Sequence, residues 1–377
     1  MVLVLIGVGY VVFRNIHLQD TALQRSLAIL TVTEKEKLIL KKLLGAVVIT
    51  SEHPKPWLES SFLFQLPSGE ILSLQTEEGW EIQPGILTLL QQMKISVLLL
   101  VEFFLIIGLL LTAKRWHFLL KAGDIDCSFW NAFRLTSIGV FFNAFLPGST
   151  GGDLAKAFFI VGETEKYRQR AVLTVVIDRI IGLVGLLLLA CGLVTFHFQQ
   201  FRSIGIILYC LLAGLLLGTF LAFNSWLRDF IRLEQWITKI PLGTLLKKLD
   251  EDFLHFRKSG KIFGIGLLLS MGNHFLMMSG CYLIGSSLGD PLSFKHYLVL
   301  LAVGNIIISI PVFPVPGGLG VREIIWGTLF LKNGSSYNMG VVLATTFFLL
   351  LTLLYSLGGV FLLTREGKEF LRWKRTP

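Results

Sequence analysis

Seven charged side chains interrupt stretches that are otherwise apolar: Glu102, Arg134, Asp153, Asp178, Arg179, Arg322 and Glu323, with Lys156 just behind Asp153. Opposite charges are neighbours in Asp178-Arg179 and again in Arg322-Glu323. A charge at the centre of a bilayer costs about 2.5–3.5 kcal/mol on insertion scales, so each needs a partner or a wet cavity. Guanidinium groups gathered in such a cavity would hold a phosphate, because the planar fork offers two parallel hydrogen bonds. The acids would hold the arginines until an anion replaces them. The competing reading is an ion-pair network that only sets helix packing. Glu102 has no glycine-rich neighbour and reads as a snorkelling or helix-pairing residue. Asn273-His274 reads as a helix–helix hydrogen bond ahead of a cavity or proton-coupling role.

Two glycine-rich breaks lie beside these charges. One is Pro147 to Asp153 (PGSTGGD), inside the apolar run Phe129 to Ile160. The other is Pro311 to Gly320 (PVFPVPGGLG), inside Tyr297 to Leu331. Proline removes a backbone donor and glycine weakens a helix, so neither run is one straight helix. Bare peptide groups at membrane depth persist only inside protein or along a wet cavity. Each run is therefore predicted to be a re-entrant hairpin of two half-helices. Their N-termini would present N–H groups and a positive dipole end to an anion.

These residues must be positioned by membrane helices. The chain has 377 residues, 53% hydrophobic and only 16% charged, with a mean hydropathy of +0.70. An average soluble domain carries about 25% charged residues, so a single soluble globule and intrinsic disorder are both excluded. Runs matching the roughly 20 residues of a spanning helix are Ile95 to Ala113, Ala171 to Phe196, Ile204 to Phe223, Ile262 to Gly285 and Val341 to Leu363. Met1 to Phe13 is a shorter first segment and lacks the basic start of a signal peptide. The four cysteines form no CxxC pair and read as small apolar residues.

Charge placement orients the spans. Lys114 to Ser128, Leu154 to Arg170, Asn224 to Lys261 and Thr364 to Pro377 together carry 20 Lys and Arg. The short loops Phe196 to Ser203, Ser286 to Lys295 and Lys332 to Gly340 carry one each. The positive-inside rule puts the first set in the cytoplasm. The two hairpins then enter from opposite faces, which is the pattern of an inverted repeat in a transporter. The net charge of +9 is accounted for by this asymmetry, without nucleic acid as a partner.

Outside the spans, residues 14–93 are the sizeable polar segment. Thr21 to Leu44 has helical spacing. Ala46 to Thr50, Phe62 to Leu66 and Ile71 to Gln75 read as strands, with Pro67 to Glu70 as a hairpin turn. This segment is predicted to be a lid or docking element, too small for a catalytic domain. Asn224 to Lys261 reads as interfacial amphipathic helix. No GxSxG, HExxH, Walker A or GxGxxG context occurs. Neither catalytic residues, nor a metal site, nor a cofactor is expected.

Three segments together resemble one known family: Phe142 to Asp153 (FNAFLPGSTGGD), Val176 to Leu183 (VIDRIIGL) and Pro316 to Glu323 (PGGLGVRE). They are similar to the signatures of the lysylphosphatidylglycerol synthase transmembrane-region family, also called flippase-like proteins. Lys114-Arg115-Trp116 resembles that family's basic-Arg-Trp element. Lys156 stands where the family pattern usually has Arg. The resemblance runs from about Ile95 to Leu363 and implies the flippase half of the two-part bacterial enzyme. The chain stops 14 residues after the last span, so the cytosolic aminoacyltransferase domain is expected to be absent.

The expectation is an all-α polytopic membrane protein of about six full spans plus two opposed re-entrant hairpins. Residues 1–13 form a first segment, 14–93 a small α+β extracytoplasmic insertion, 94–363 the transmembrane core and 364–377 a basic cytoplasmic tail. The setting is a bacterial or archaeal cytoplasmic membrane. The substrate would be an anionic lipid, an aminoacyl-phospholipid or a polyprenyl-phosphate-linked glycan. Its contacts would be Asn143, Gly148, Gly151, Gly152, Asp153 and Lys156 at the first break and Asp178 and Arg179 on the next span. Gly317, Gly318, Gly320, Arg322 and Glu323 would serve at the second break. The alternative is a scaffold for a separate glycosyl- or aminoacyl-transferase; homo-oligomers are compatible with either.

Overall fold

The computed structural model describes residues 86–145, 151–164, 166–196, 198–199, 201–223, 252, 255–309 and 320–363, with five short strands between 21 and 83. It is an all-α polytopic membrane protein apart from those strands. Among the described residues, after the short α1 (Ile86–Gln91), four helices are long and apolar enough to cross a bilayer: α2 (Ile95–Ala122), α5 (Arg168–Thr195), α7 (Gly260–Ser287) and α10 (Tyr337–Val360). The expected span at Ile204 to Phe223 is a helix, α6 (Arg202–Phe223). Met1 to Phe13 lies outside the described residues. Large apolar side chains such as Leu99, Phe103, Leu268, Leu349 and Leu353 are exposed along these helices. Continuous apolar faces of that kind are unfavourable in water and match lipid.

The first predicted break is a helical hairpin. α3 (Phe129–Phe145) and α4 (Gly151–Glu163) flank it. At one end Arg134 and Asn131 of α3 bond the Glu163 carboxylate, both at 2.5 Å. At the other end Asn143 of α3 meets Gly152 of α4. The two helices are therefore antiparallel. At 1.5 Å per residue they are about 25 and 20 Å long, short of a hydrocarbon core of about 30 Å. The second break separates α8 (Phe294–Ile308) from α9 (Val321–Lys332). Residues 310–319 between them, including Gly317 and Gly318, lie outside the described residues, as does Gly148.

Two compact units share the chain. The larger holds residues 102–279, 295–318 and 349–377. Its apolar core gathers Trp116, Leu119, Leu135, Ile160, Ile181 and Phe256. Phe256 opens a single 3-10 turn, Phe256–Ser259, and is fully buried. Just before it, Asp252 accepts a bond from Arg170 of α5 at 3.0 Å, pinning the segment to that helix. The smaller unit holds residues 1–101, 280–294 and 319–348. There α9 and α10 touch through small residues: a Cβ on Gly340 would stand 2.6 Å from the Trp326 carbonyl oxygen.

The polar segment is partly as expected. β2 (Val47–Thr50), β3 (Ser61–Gln65) and β4 (Ile71–Gln75) form an antiparallel sheet in that order. Pairing of Gln65 with Ile71 closes the predicted hairpin. The predicted helix from Thr21 is corrected at its start. Thr21–Gln24 is a strand, β1, paired antiparallel with β5 (Trp80–Gln83). That partner lies far along the chain, and helical spacing in a local window carries no trace of it. The remainder of Thr21 to Leu44, and the interfacial stretch up to residue 251, lie outside the described residues.

Candidate functional site

The larger unit carries a half-open cavity of about 240 Å³ between α2, α3, α4, α5 and α7. Its charged lining is Arg115, Asp153, Lys156, Asp178 and Arg179. Asn143, Asn273 and His274 add polar groups.

Helical geometry explains which side chains meet. On α4, Asp153 and Lys156 are three residues apart and share a face. On α5, Asp178 and Arg179 are consecutive and point about a quarter-turn apart. The two helices are cross-tied by bridges of opposite polarity. Lys156 Nζ lies 3.0 Å from Asp178 Oδ2, and Arg179 Nη1 lies 3.2 Å from Asp153 Oδ2. Asp178 has a second cation: Arg115 Nε of α2 donates to Oδ1 at 2.7 Å.

The two clusters differ in exposure. Arg115, Lys156 and Asp178 are all buried. The Arg179 and Asp153 side chains are 33% and 27% exposed. Lys156 Nζ also sits 4.1 Å above the Trp116 ring, a cation–π contact. Trp116 Nε1 donates to Thr174 Oγ1 at 3.1 Å, and Thr174 donates to the Ala171 carbonyl.

Asp178 is thus compensated by Arg115 and Lys156 within its own unit. One expectation about charge changes: Arg115 and Lys156, counted with the cytoplasmic segments, are not loop cations, since α2 runs on to Ala122 and α4 starts at Gly151, and both side chains line the cavity. Removing them from the cytoplasmic tally leaves 18 basic residues against three, and the asymmetry stands. Sequence reasoning missed Arg115 as a site residue. The signal present was its place in Lys114-Arg115-Trp116, directly after an apolar run.

Two of the glycines make contacts within the protein. The Gly152 N–H donates to Asn143 Oδ1 at 2.8 Å, so this helix-start donor is occupied. Gly320 takes φ +82°, open to glycine at no steric cost. Its N–H donates to Glu323 Oε2 at 2.5 Å, half of a capping box at the start of α9. Glu323 thus serves its own helix and also accepts a 3.5 Å bond from Thr345 of α10. Arg322, in the same smaller unit, lies 5.9 Å from the Phe348 ring. His274 both lines the cavity and bonds the Gly182 carbonyl at 3.2 Å, next to Ser270 Oγ at 3.1 Å on the same oxygen.

A multi-pass helical protein with an ion-paired cavity inside its helices is the class that fold and site define. The chain belongs to the lysylphosphatidylglycerol synthase TM region family, whose model matches residues 85–359. It is similar to a UPF0104 membrane protein of Pyrococcus horikoshii, 26% identical over 277 residues, covering 67% of this chain and 82% of that one. It also resembles a UPF0104 membrane protein of Methanothermobacter thermautotrophicus, 22% identical over 250 residues, covering 60% and 71%. No solved structure matches significantly.

Proposed function

We propose that this membrane protein moves the headgroup of an anionic lipid across the bilayer, through the cavity of the larger unit. The observation that carries the proposal is the cavity's charge. Three cations, Arg115, Lys156 and Arg179, face two carboxylates, Asp153 and Asp178. An excess cation inside apolar helices favours an anion. The volume of about 240 Å³ holds several waters or one phosphate group, while the acyl chains stay in lipid.

Residues 14–93 lie outside and the C-terminal tail inside in this proposal. The α3–α4 hairpin is re-entrant from the cytoplasm, and Arg322, in the smaller unit, is a further phosphate ligand. The protein catalyses no bond chemistry. Purified protein reconstituted in vesicles tests this. Acyl-labelled phosphatidylglycerol should exchange between leaflets faster than in protein-free vesicles. Protein-free rates, together with co-purification of a transferase, would favour the scaffold reading.

A further inference from the structure

We infer that the protein carries a proton with each headgroup, taken up by the Asp153 carboxylate when the lipid's phosphate replaces it on Arg179. This rests on the reading of the cavity as a headgroup site.

The cavity's cations are not equally available. Arg115 and Lys156 share the Asp178 carboxylate at 2.7 and 3.0 Å, and all three side chains are buried. Displacing either cation breaks a buried ion pair, which is strongly unfavourable. Arg179 differs: one third of its side chain is exposed, and its bridge to Asp153 is longer, 3.2 Å. An incoming anion therefore meets Arg179, and Asp153 is the group it displaces.

Displacement leaves Asp153 charged and without its cation. Among the described residues, Arg179 is its ion-pair partner. Lys156 follows three residues on along α4, but its ammonium lies between Asp178 Oδ2 and the Trp116 ring. Arg115 of α2 bonds Asp178 Oδ1. On α5, Asp178 adds a like charge. From α3 comes Asn143, whose Oδ1 accepts the Gly152 N–H. From α7 comes His274, whose Nε2 meets the Gly182 carbonyl. The spare positive charge of Arg115, Lys156 and Asp178 attracts phosphate and Asp153 alike, and so does not separate them.

A carboxylate stranded beside a phosphate in a membrane helix bundle neutralises by taking a proton. Water in the half-open cavity supplies it, since 27% of the Asp153 side chain is exposed. The proton adds to a carboxylate oxygen, and the neutral acid can then donate to the phosphate. When the headgroup departs, Asp153 gives the proton back to water and returns to Arg179. No bond of the lipid changes. A monoanionic headgroup and its proton cross as a neutral pair, so a pH difference across the membrane drives net movement and the membrane potential does not.

Calorimetry counts the proton. Short-chain phosphatidylglycerol is titrated into the purified full-length protein in detergent, near neutral pH, in two buffers of different ionisation heat. The difference between the heats gives the protons exchanged. Wild type should take up about one proton per lipid bound, and Asp153→Asn, which keeps a polar side chain of the same shape, should take up none. Wild-type affinity should rise as pH falls from about 8 to about 6, by up to about ten-fold per pH unit. The phosphodiester stays monoanionic over that range, and affinity in Asp153→Asn should be flat. Binding by wild type without proton uptake overturns the inference, whether or not the variant folds, and leaves the headgroup reading standing. Uptake that persists in a folded Asp153→Asn protein, or that vanishes in a folded His274→Gln protein, puts the proton elsewhere and overturns it too. No binding at any pH overturns the headgroup reading and the inference together.

Discussion

Gly152 and Gly139 are in backbone contact: a Cβ on Gly152 would lie 1.9 Å from the Gly139 carbonyl oxygen. α3 and α4 pack so closely there that no side chain fits. The same approach lets Asn143 reach the Gly152 N–H. The glycine thus sets the spacing that brings Asp153 and Lys156 to the cavity. Gly152→Ala should destabilise the protein by about 1–3 kcal/mol, the usual range for overpacking. Gly162, on the same helix, has nothing within 4 Å of its Cβ position, and Gly162→Ala should leave stability unchanged or slightly raised. Thermal unfolding in detergent checks both.

The two ion-pair clusters should separate in mutagenesis. Asp178→Ala leaves Arg115 and Lys156 buried without their carboxylate, a loss of about 3–5 kcal/mol. Asp153→Ala touches a partly exposed bridge and should cost under about 1 kcal/mol. Expression and melting temperature of the two variants, compared at one detergent concentration, report the difference. Equal losses would mean that Arg179–Asp153 is as structural as the triad.

How far the site was legible follows from where each partner sits in the chain. Spans announce themselves, because about 20 consecutive apolar residues have no other stable use. The β3–β4 hairpin was legible because its partners are neighbours in sequence. Of the two partners of Asp178, Arg115 was not, since it is 63 residues away and stands where an apolar run gives way to bases. Only the continuation of α2 to Ala122 turns that side chain inward. Gly152 and Gly320 were recognised as candidate site residues, but their contacts within the protein were not legible. Close helix approach at Gly152 and a self-capped helix start at Gly320 are tertiary facts, invisible in a PGG-like string.

Cys127 follows the α2 helix, in the connection to α3. Burial pushes its thiol up to about 11 from an ordinary 9.0, ahead of the opposing hydrogen bond from Asn131. The folded state favours the neutral thiol, so its contribution is complete below pH 9 and is lost as pH rises from 9 to 11. Stability should decline over that window in wild type and decline less in Cys127→Ser. In the folded protein, maleimide labelling of Cys127 at pH 7–8 should be slow, and denaturant should speed it. Peptide mapping after timed labelling reads both.

The central claim is that the cavity's cations carry the headgroup, with Arg179 as the residue that meets it. The most direct measurement is the initial rate at which acyl-labelled phosphatidylglycerol crosses the bilayer in vesicles holding equal amounts of wild-type or Arg179→Gln protein. The substitution removes the charge and keeps a polar side chain at a position that is one-third exposed, so the melting temperature should stay close to wild type. The rate should fall about ten-fold or more, the loss expected for one charge-assisted phosphate contact. A folded Arg179→Gln protein moving lipid at the wild-type rate would contradict the claim.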